Sequence, residues 1–469
     1  MNGQEQFDRF TSRHPRPHRA FFDRPHWTRR EFFQLPAAGL TGAYLAGRAR
    51  AAESSPGAAV TTQNKARNVI FVLLAGAPSH TDTFDFKEVA GVTPADVMKP
   101  ETISGIRWPS GILPKLADQI PNMAIVRSMR SWALVHSLAQ TWTQIGRNPA
   151  AAQGNIAPNM GSIVAIEKDA ERLASQVFPT FLALNSNGAA GPGYLPAVYA
   201  PFKVNPAVDR NGAGTGIGNT TNVDGVARFE DRWSLLHSLD DPLRVNSPLG
   251  RPPQDYESFY RAARGMMYNP VVDSSFKFTA ADSQRYGSNS FGNACLVAKQ
   301  VLAANQGTRF IQITLGGWDM HQNIYAAAQL PRMAKILDDG LAALLSDLNS
   351  NGLLSETLVV TAGEFGRTVG ALSAAQGRDH FLQQFAMFAG AGIKGGRTIG
   401  STNATGSAAV ERGWSRDRDI KPEDVEATIY SALGINWTTV RYDDPFGRGF
   451  EYVPDSKEDV YGPINELWT

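Results

Sequence analysis

Five histidines follow residue 51, and four of them stand beside chemistry-bearing neighbours: His80, His136, His321 and His380, with His237 apart. In Gly316-Gly317-Trp318-Asp319-Met320-His321 a carboxylate and an imidazole are two residues apart. On an extended chain that spacing points both side chains the same way. Carboxylate oxygen and imidazole nitrogen suit Zn, Mn or Fe. The competing reading makes Asp319 a helix cap and His321 a local hydrogen-bonding group. Gly377-Arg378-Asp379-His380 repeats the theme, with His380 as a ligand and Asp379 as a ligand or as the partner that orients it.

Thr361-Ala362-Gly363-Glu364-Phe365-Gly366-Arg367-Thr368 places one acid and one arginine on a glycine-hinged turn. Glu364 is a candidate metal ligand. The guanidinium of Arg367, like that of Arg378, suits an oxyanion such as sulfate or phosphate. An internal Glu364–Arg367 ion pair fits the spacing equally well. His136 suits general acid–base work, since an unperturbed imidazole titrates near neutrality. Ser137 beside it is a candidate nucleophile, and Ser128 and Ser79 are further hydroxyls in reach of the same argument. The chain has no Gly-x-Ser-x-Gly elbow, no His-Glu-x-x-His and no P-loop. Those absences argue against an esterase triad, a zincin protease and a nucleotide hydrolase.

These residues need a scaffold, and the hydrophobic pattern supplies one. Val69 to Leu74, Met123 to Val126, Arg309 to Leu315, Thr357 to Thr361 and Phe385 to Ala389 are apolar runs, most of them stopped by glycine. Runs without polar alternation suit parallel strands covered on both faces. Between them, Met333 to Leu348 carries Ile336, Leu337, Leu341, Leu344, Leu345 and Leu348 at helical spacing. A second helix is expected from Lys421-Pro422-Glu423-Asp424 to Leu433-Gly434, with proline and acids in its first turn. The fold expected is α/β, a mostly parallel central sheet in a three-layer αβα sandwich. Residues 186–280 are rich in Gly, Pro, Asn and Asp and read as an inserted lobe, locally helical at Trp233–Leu236 and Tyr256–Met267. In such sheets ligands bind beyond the carboxyl ends of strands, so the separate motifs should converge on one crevice.

Of 469 residues, 45 are Lys or Arg and 44 are Asp or Glu, a balance that leaves no electrostatic footprint for nucleic acid. The charge is uneven: residues 1–51 carry nine Arg, no Lys and four acids, a net of +5, and the remainder −4. Thr28-Arg29-Arg30-Glu31-Phe32-Phe33, the apolar stretch Leu35 to Leu45 and Ala49-Arg50-Ala51 form the pattern of a twin-arginine export signal with its cleavage site. The expected location is therefore periplasmic or secreted, with no permanent membrane anchor after cleavage. Cys295 is the one cysteine, so no intrachain disulfide can form.

Taken together, the leader, Ala75 to Lys87, Gly317–His321, Gly363–Thr368 and Gly377–His380 resemble the domain-of-unknown-function 1501 family over most of residues 65–450. That family groups with the sulfatase and alkaline phosphatase superfamily. The resemblance implies an alkaline-phosphatase-like domain over 65–455 and one divalent metal ion, Zn, Mn, Fe or Ca, held by Asp319, His321 and His380. Glu364 and Asp379 would stand nearby. It also marks departures. Ala75-Gly76-Ala77 replaces the acids that usually follow the first strand, leaving Asp82 or His80 to substitute. Glu364-Phe365 stands where an Asp-His pair is usual, so one ligand is lost. The function expected is an exported metal-dependent hydrolase acting on a small-molecule or glycan sulfate or phosphate ester. The alternative is a non-catalytic binding or surface protein that keeps the fold.

Overall fold

The computed structural model describes residues 59–469 apart from 219, 222 and 245–251. The export leader expected at residues 1–51 lies outside the described residues. Eight strands make the central sheet: β1 (Asn68–Ala75), β2 (Met123–Arg130), β3 (Phe181–Leu184), β4 (Phe202–Val204), β5 (Phe310–Gly316), β6 (Thr357–Gly363), β7 (Gln383–Ala389) and β8 (Arg397–Ile399). Their order across the sheet is β8-β2-β7-β6-β1-β5-β3-β4. β1 is central and parallel to both neighbours, with Val72 opposite Ile313 on one side and Thr361 on the other.

The mostly parallel αβα sandwich is present, and the alternation of β1 shows how it is held. Ile70, Val72 and Leu74 pack into one layer with α5 (Ser290–Ala304) and α6 (Leu330–Ser350). Val69, Phe71 and Leu73 pack into the other, with α1 (His136–Ile145), α2 (Met160–Lys168) and α7 (Pro422–Ala432). Every one of these β1 side chains is buried. Burying each is worth about 1.5–3 kcal/mol, so a strand apolar on both faces is the sheet's natural centre. The helices expected at Met333–Leu348 and Lys421–Leu433 correspond to α6 and α7. α3 (Gly225–Arg244) and α4 (Pro252–Met266) cover the two segments of the lobe that read as helical.

One strand runs the other way. β7 is antiparallel to both β6 and β2. A parallel return needs a crossover, usually a helix, and between β6 and β7 the chain forms only a small ribbon, Gly366–Arg367 paired with His380–Phe381. The reversal brings the amino end of β7 to the edge where β1, β5 and β6 end. Gly390-Ala391-Gly392-Ile393-Lys394-Gly395 after β7 has the Gly-x-Gly-x-x-Gly spacing, but it leads into β8 and opens no helix, so it lacks the context of a dinucleotide site. No helix among the described residues is long and apolar enough to cross a membrane.

Candidate metal centre

Four elements deliver the site. Asp319 and His321 lie on the loop after β5, Glu364 follows β6, and His380 lies just ahead of β7. His136 opens α1, shortly after β2 ends. Close backbone approach makes this convergence possible. A side chain on Gly76, where φ is +104°, would strike the Trp318 and Asp319 amides at 2.7 and 2.8 Å. One on Gly377 would meet the His321 carbonyl carbon at 2.0 Å. Glycine is the residue that lets these three loops touch.

One ligand atom from each of His136, Asp319, His321 and His380 falls within 4.8 Å of all the others. Asp319 Oδ1 is the common point. It lies 2.8 Å from His321 Nε2, 3.2 Å from His136 Nε2 and 3.7 Å from His380 Nε2. Each imidazole has its other nitrogen facing an acceptor: His136 Nδ1 reaches Glu364 Oε1 at 2.7 Å, His321 Nδ1 reaches Asp379 Oδ1 at 2.8 Å, and His380 Nδ1 reaches the Leu134 carbonyl at 2.7 Å. Those acceptors assign the proton to Nδ1 in all three rings. All three Nε2 lone pairs then face one another. His321 Nε2 and His380 Nε2 are 3.2 Å apart, and His136 Nε2 is buried without a hydrogen-bond partner. Lone pairs held this close call for a cation, and two imidazoles oriented by carboxylates with a third oriented by a carbonyl are the usual support of one. The donor set, three nitrogens and one carboxylate oxygen, fits a divalent transition metal.

The structure redistributes the expected roles. His136, expected as an acid–base group, joins the ligand cluster. Glu364, expected as a ligand, stands behind it, wholly buried. Its Oε1 accepts from the Gly76 amide at 2.9 Å and Gln140 Nε2 at 3.0 Å as well as from His136. Asp379 likewise stands behind His321. Phe365 brings no ligand, and its ring instead packs beside His136 and His380, with centroids 4.8 and 4.6 Å away. Where Phe365 brings no ligand atom, His136 enters the cluster from another element. Gln140 went unremarked in the sequence, although it lies one turn beyond His136 on the same helix face.

Arg367 reaches the cluster but is not free to hold a substrate. It is 1% exposed. Its Nε donates to the Ala77 carbonyl, Nη1 to the Arg378 carbonyl and toward His321 Nε2, and Nη2 to the Gly76 carbonyl and Asp319 Oδ1. Four of the five N–H donors of its guanidinium are spent on oxygens, and the fifth faces the His321 ring. Arg378 is not brought to the cluster by its side chain. Its guanidinium is buried against Asp82, Nε to Oδ2 at 2.6 Å, and bonds Tyr325 and the Thr368 and Gly370 carbonyls. Asp82 therefore does not substitute for the absent acids, and His80 is buried with its Nε2 on the Gly406 carbonyl. Ser137 is exposed on the first turn of α1. Ser79 Oγ donates to Asp82 and Ser128 Oγ to the Arg412 carbonyl. None of these hydroxyls meets a histidine among the described residues.

Electrostatics favour an ionised Asp319. Partial burial pushes its carboxyl up, but the hydrogen bond and charge of Arg367 outweigh this and hold it below the usual carboxylate range. Burial pushes His380 down, and the charge of Arg367 adds to that against the Leu134 carbonyl. A neutral imidazole is the form that binds a metal.

Solved structures with detectable similarity include the PsFucS1 sulfatase from a Pseudoalteromonas species. It is 12% identical, with 80% of this chain and 68% of that one covered and a TM-score of 0.38. The lipoteichoic acid synthase LtaP from Listeria monocytogenes is 11% identical over 84% and 78%, TM-score 0.37. The phosphonate monoester hydrolase SpPMH from Silicibacter pomeroyi is 14% identical over 86% and 76%, TM-score 0.35. No curated protein sequence matches the chain. Residues 66–460 match the family described as "Protein of unknown function (DUF1501)", and the chain belongs to that family.

Proposed function

We propose that His136, Asp319, His321 and His380 hold one divalent metal ion and that the protein is an exported hydrolase of sulfate or phosphate esters. The observation that carries this reading is the convergence of three Nε2 atoms on one carboxylate oxygen, each ring held from behind by an acceptor at Nδ1. A bound ion at this point would polarise the ester or lower the pKa of a water toward 7. The chain's own residues have simpler tasks. Glu364 and Asp379 orient His136 and His321, and Arg367 holds Asp319 ionised and in place. Because no serine hydroxyl among the described residues meets a histidine, the attacking group in this reading is water, not a side chain.

The binding-protein reading keeps one observation in its favour: both arginines expected to steady the transferred oxyanion are committed elsewhere. Elemental analysis of the folded protein with His321→Ala and His380→Ala separates the readings in two stages. About one equivalent of Zn, Mn, Fe or Ca, lost in both variants, supports the centre. Hydrolysis of nitrophenyl sulfate or phosphate that tracks metal content then supports the enzyme. Metal without turnover of any ester supports the binding protein, and no metal after reconstitution sinks both the centre and the hydrolase. Export belongs to the proposal too. Replacing Arg29 and Arg30 by lysine should strand the protein in the cytoplasm, and unchanged export would refute the leader.

A further inference from the structure

The metal centre is open. The Asp319 side chain is 47% exposed and that of His321 40%, so little there would grip the rest of a substrate. The chain that leads into it borders a recess. Gly316 and Gly317, which lead into Trp318 and Asp319, make one wall of a cavity of about 370 Å³. Gln329, Arg332, Met333 and Ile336 line it from a single face of the start of α6, at i, i+3, i+4 and i+7. Its floor is apolar, with the buried Phe291 and Met333, and its lining is polar at Asn185. The volume is at the small end for ligand sites, the size for one ring.

Arg332 gives the recess its chemistry. It is exposed and makes no ion pair among the described residues, unlike Arg367 and Arg378. Asn185 Nδ2 donates to the Thr314 carbonyl, which turns the amide without spending its oxygen. An apolar floor, a polar wall and one free guanidinium match a sugar ring with an apolar C–H face, hydroxyl edges and a single anionic group. We propose that this cavity is a subsite for an anionic hexose unit, uronate or sulfated, neighbouring the group presented to Asp319. The inference rests on the ester reading above, which it deepens by naming the substrate class.

The test is binding of three probes to the full chain by calorimetry or ligand-observed NMR: glucuronate, glucose 6-sulfate and glucose. At least one anionic probe should bind about tenfold tighter than glucose, the gain expected of a charge-assisted hydrogen bond. Which of the two does so identifies the anion. Arg332→Ala should bring that probe down to the level of glucose, and Arg332→Lys should recover part of the difference. Met333→Trp, which fills the floor, should abolish binding of all three. Equal binding of all probes, no binding, or unchanged binding in Arg332→Ala overturns the subsite. Metal content of the same samples keeps the two ideas apart. Sugar-acid binding without metal keeps the subsite and refutes the hydrolase, whereas metal without sugar-acid binding does the reverse.

Discussion

Arg378 meets Asp82 and Arg367 meets Asp319 at the same distance, 2.6 Å, and both guanidiniums are 1% exposed. Their carboxylates differ. Asp82 is wholly buried and accepts from Ser79, Tyr325 and Arg378, so its lone pairs are occupied by donors. Asp319 is half open, and the same oxygen that takes Arg367 also faces three imidazole edges that donate nothing to it. One pair is closed and the other is left incomplete. The closed pair ties the loop after β1 to the loop before β7. The incomplete pair leaves Asp319 Oδ1 facing three imidazole nitrogens.

The comparison breaks most sharply at the closed pair. Arg378→Met leaves a buried carboxylate without its charge partner and should cost about 3–5 kcal/mol, read as the shift of a urea unfolding midpoint. Adding Asp82→Leu should recover much of that loss, because the penalty lies in the orphaned charge. If the single variant unfolds like the wild type, the pair is not structural. Arg367→Met should cost less, about 2–3 kcal/mol, through the Gly76, Ala77 and Arg378 carbonyls it leaves unpaired. Asp319 keeps water in this variant, so its own charge adds little to the loss.

A third carboxylate, buried like that of Asp82, sharpens the contrast. Glu426 is 1% exposed, its Oε1 takes the Tyr430 hydroxyl at 2.6 Å, and its Oε2 has no partner. Burial pushes its carboxyl up to about 7 despite the charge of nearby Arg147. A raised acid contributes stability that is full below its unfolded value, near 4.3, and is lost as pH rises through 7. Glu426→Gln removes that loss. Between pH 5 and 9 the stability of the variant relative to wild type should therefore rise, by a quantity of order 2 kcal/mol. A pH-independent difference in unfolding midpoint would show that Glu426 already has a full partner in the folded protein.

The sequence could not have told the two arginine pairs apart. Gly366-Arg367 and Gly377-Arg378 each place an arginine directly after a glycine. Which guanidinium meets a fully buried carboxylate depends on contacts with Asp82, 296 residues from Arg378. By contrast β1, β5 and β6 were legible, because a strand buried on both faces must be apolar throughout. The short strands β3, β4 and β8 were not, since three or four residues carry no period to read. Asp319, His321 and His380 stood out as a set only through the family resemblance, since a position near a strand end marks His80 and Glu364 equally. His136 was visible as a residue but not as a member of the cluster. Its role depends on Glu364 reaching Nδ1 from another strand and on α1 beginning where β2 leaves off.

The smallest change in stability should come with the largest change in chemistry. Asp319→Asn keeps the shape and leaves Oδ1 to accept from Arg367, while removing one negative charge from a half-exposed group. The buried guanidinium loses its charge partner but keeps its hydrogen bonds, so the unfolding midpoint should move by about 1–2 kcal/mol, less than in Arg378→Met. Metal content should fall far more, by about 100-fold in affinity, since the anionic donor on which the three Nε2 atoms converge has become a neutral amide. Chelator competition on the folded variant measures this directly. A midpoint that drops as far as that of Arg378→Met, with metal retained, would make Asp319–Arg367 a second closed pair and remove the metal centre from the molecule. A stable variant that has lost its metal would establish that one arginine–aspartate pair holds the fold and the other holds the ion.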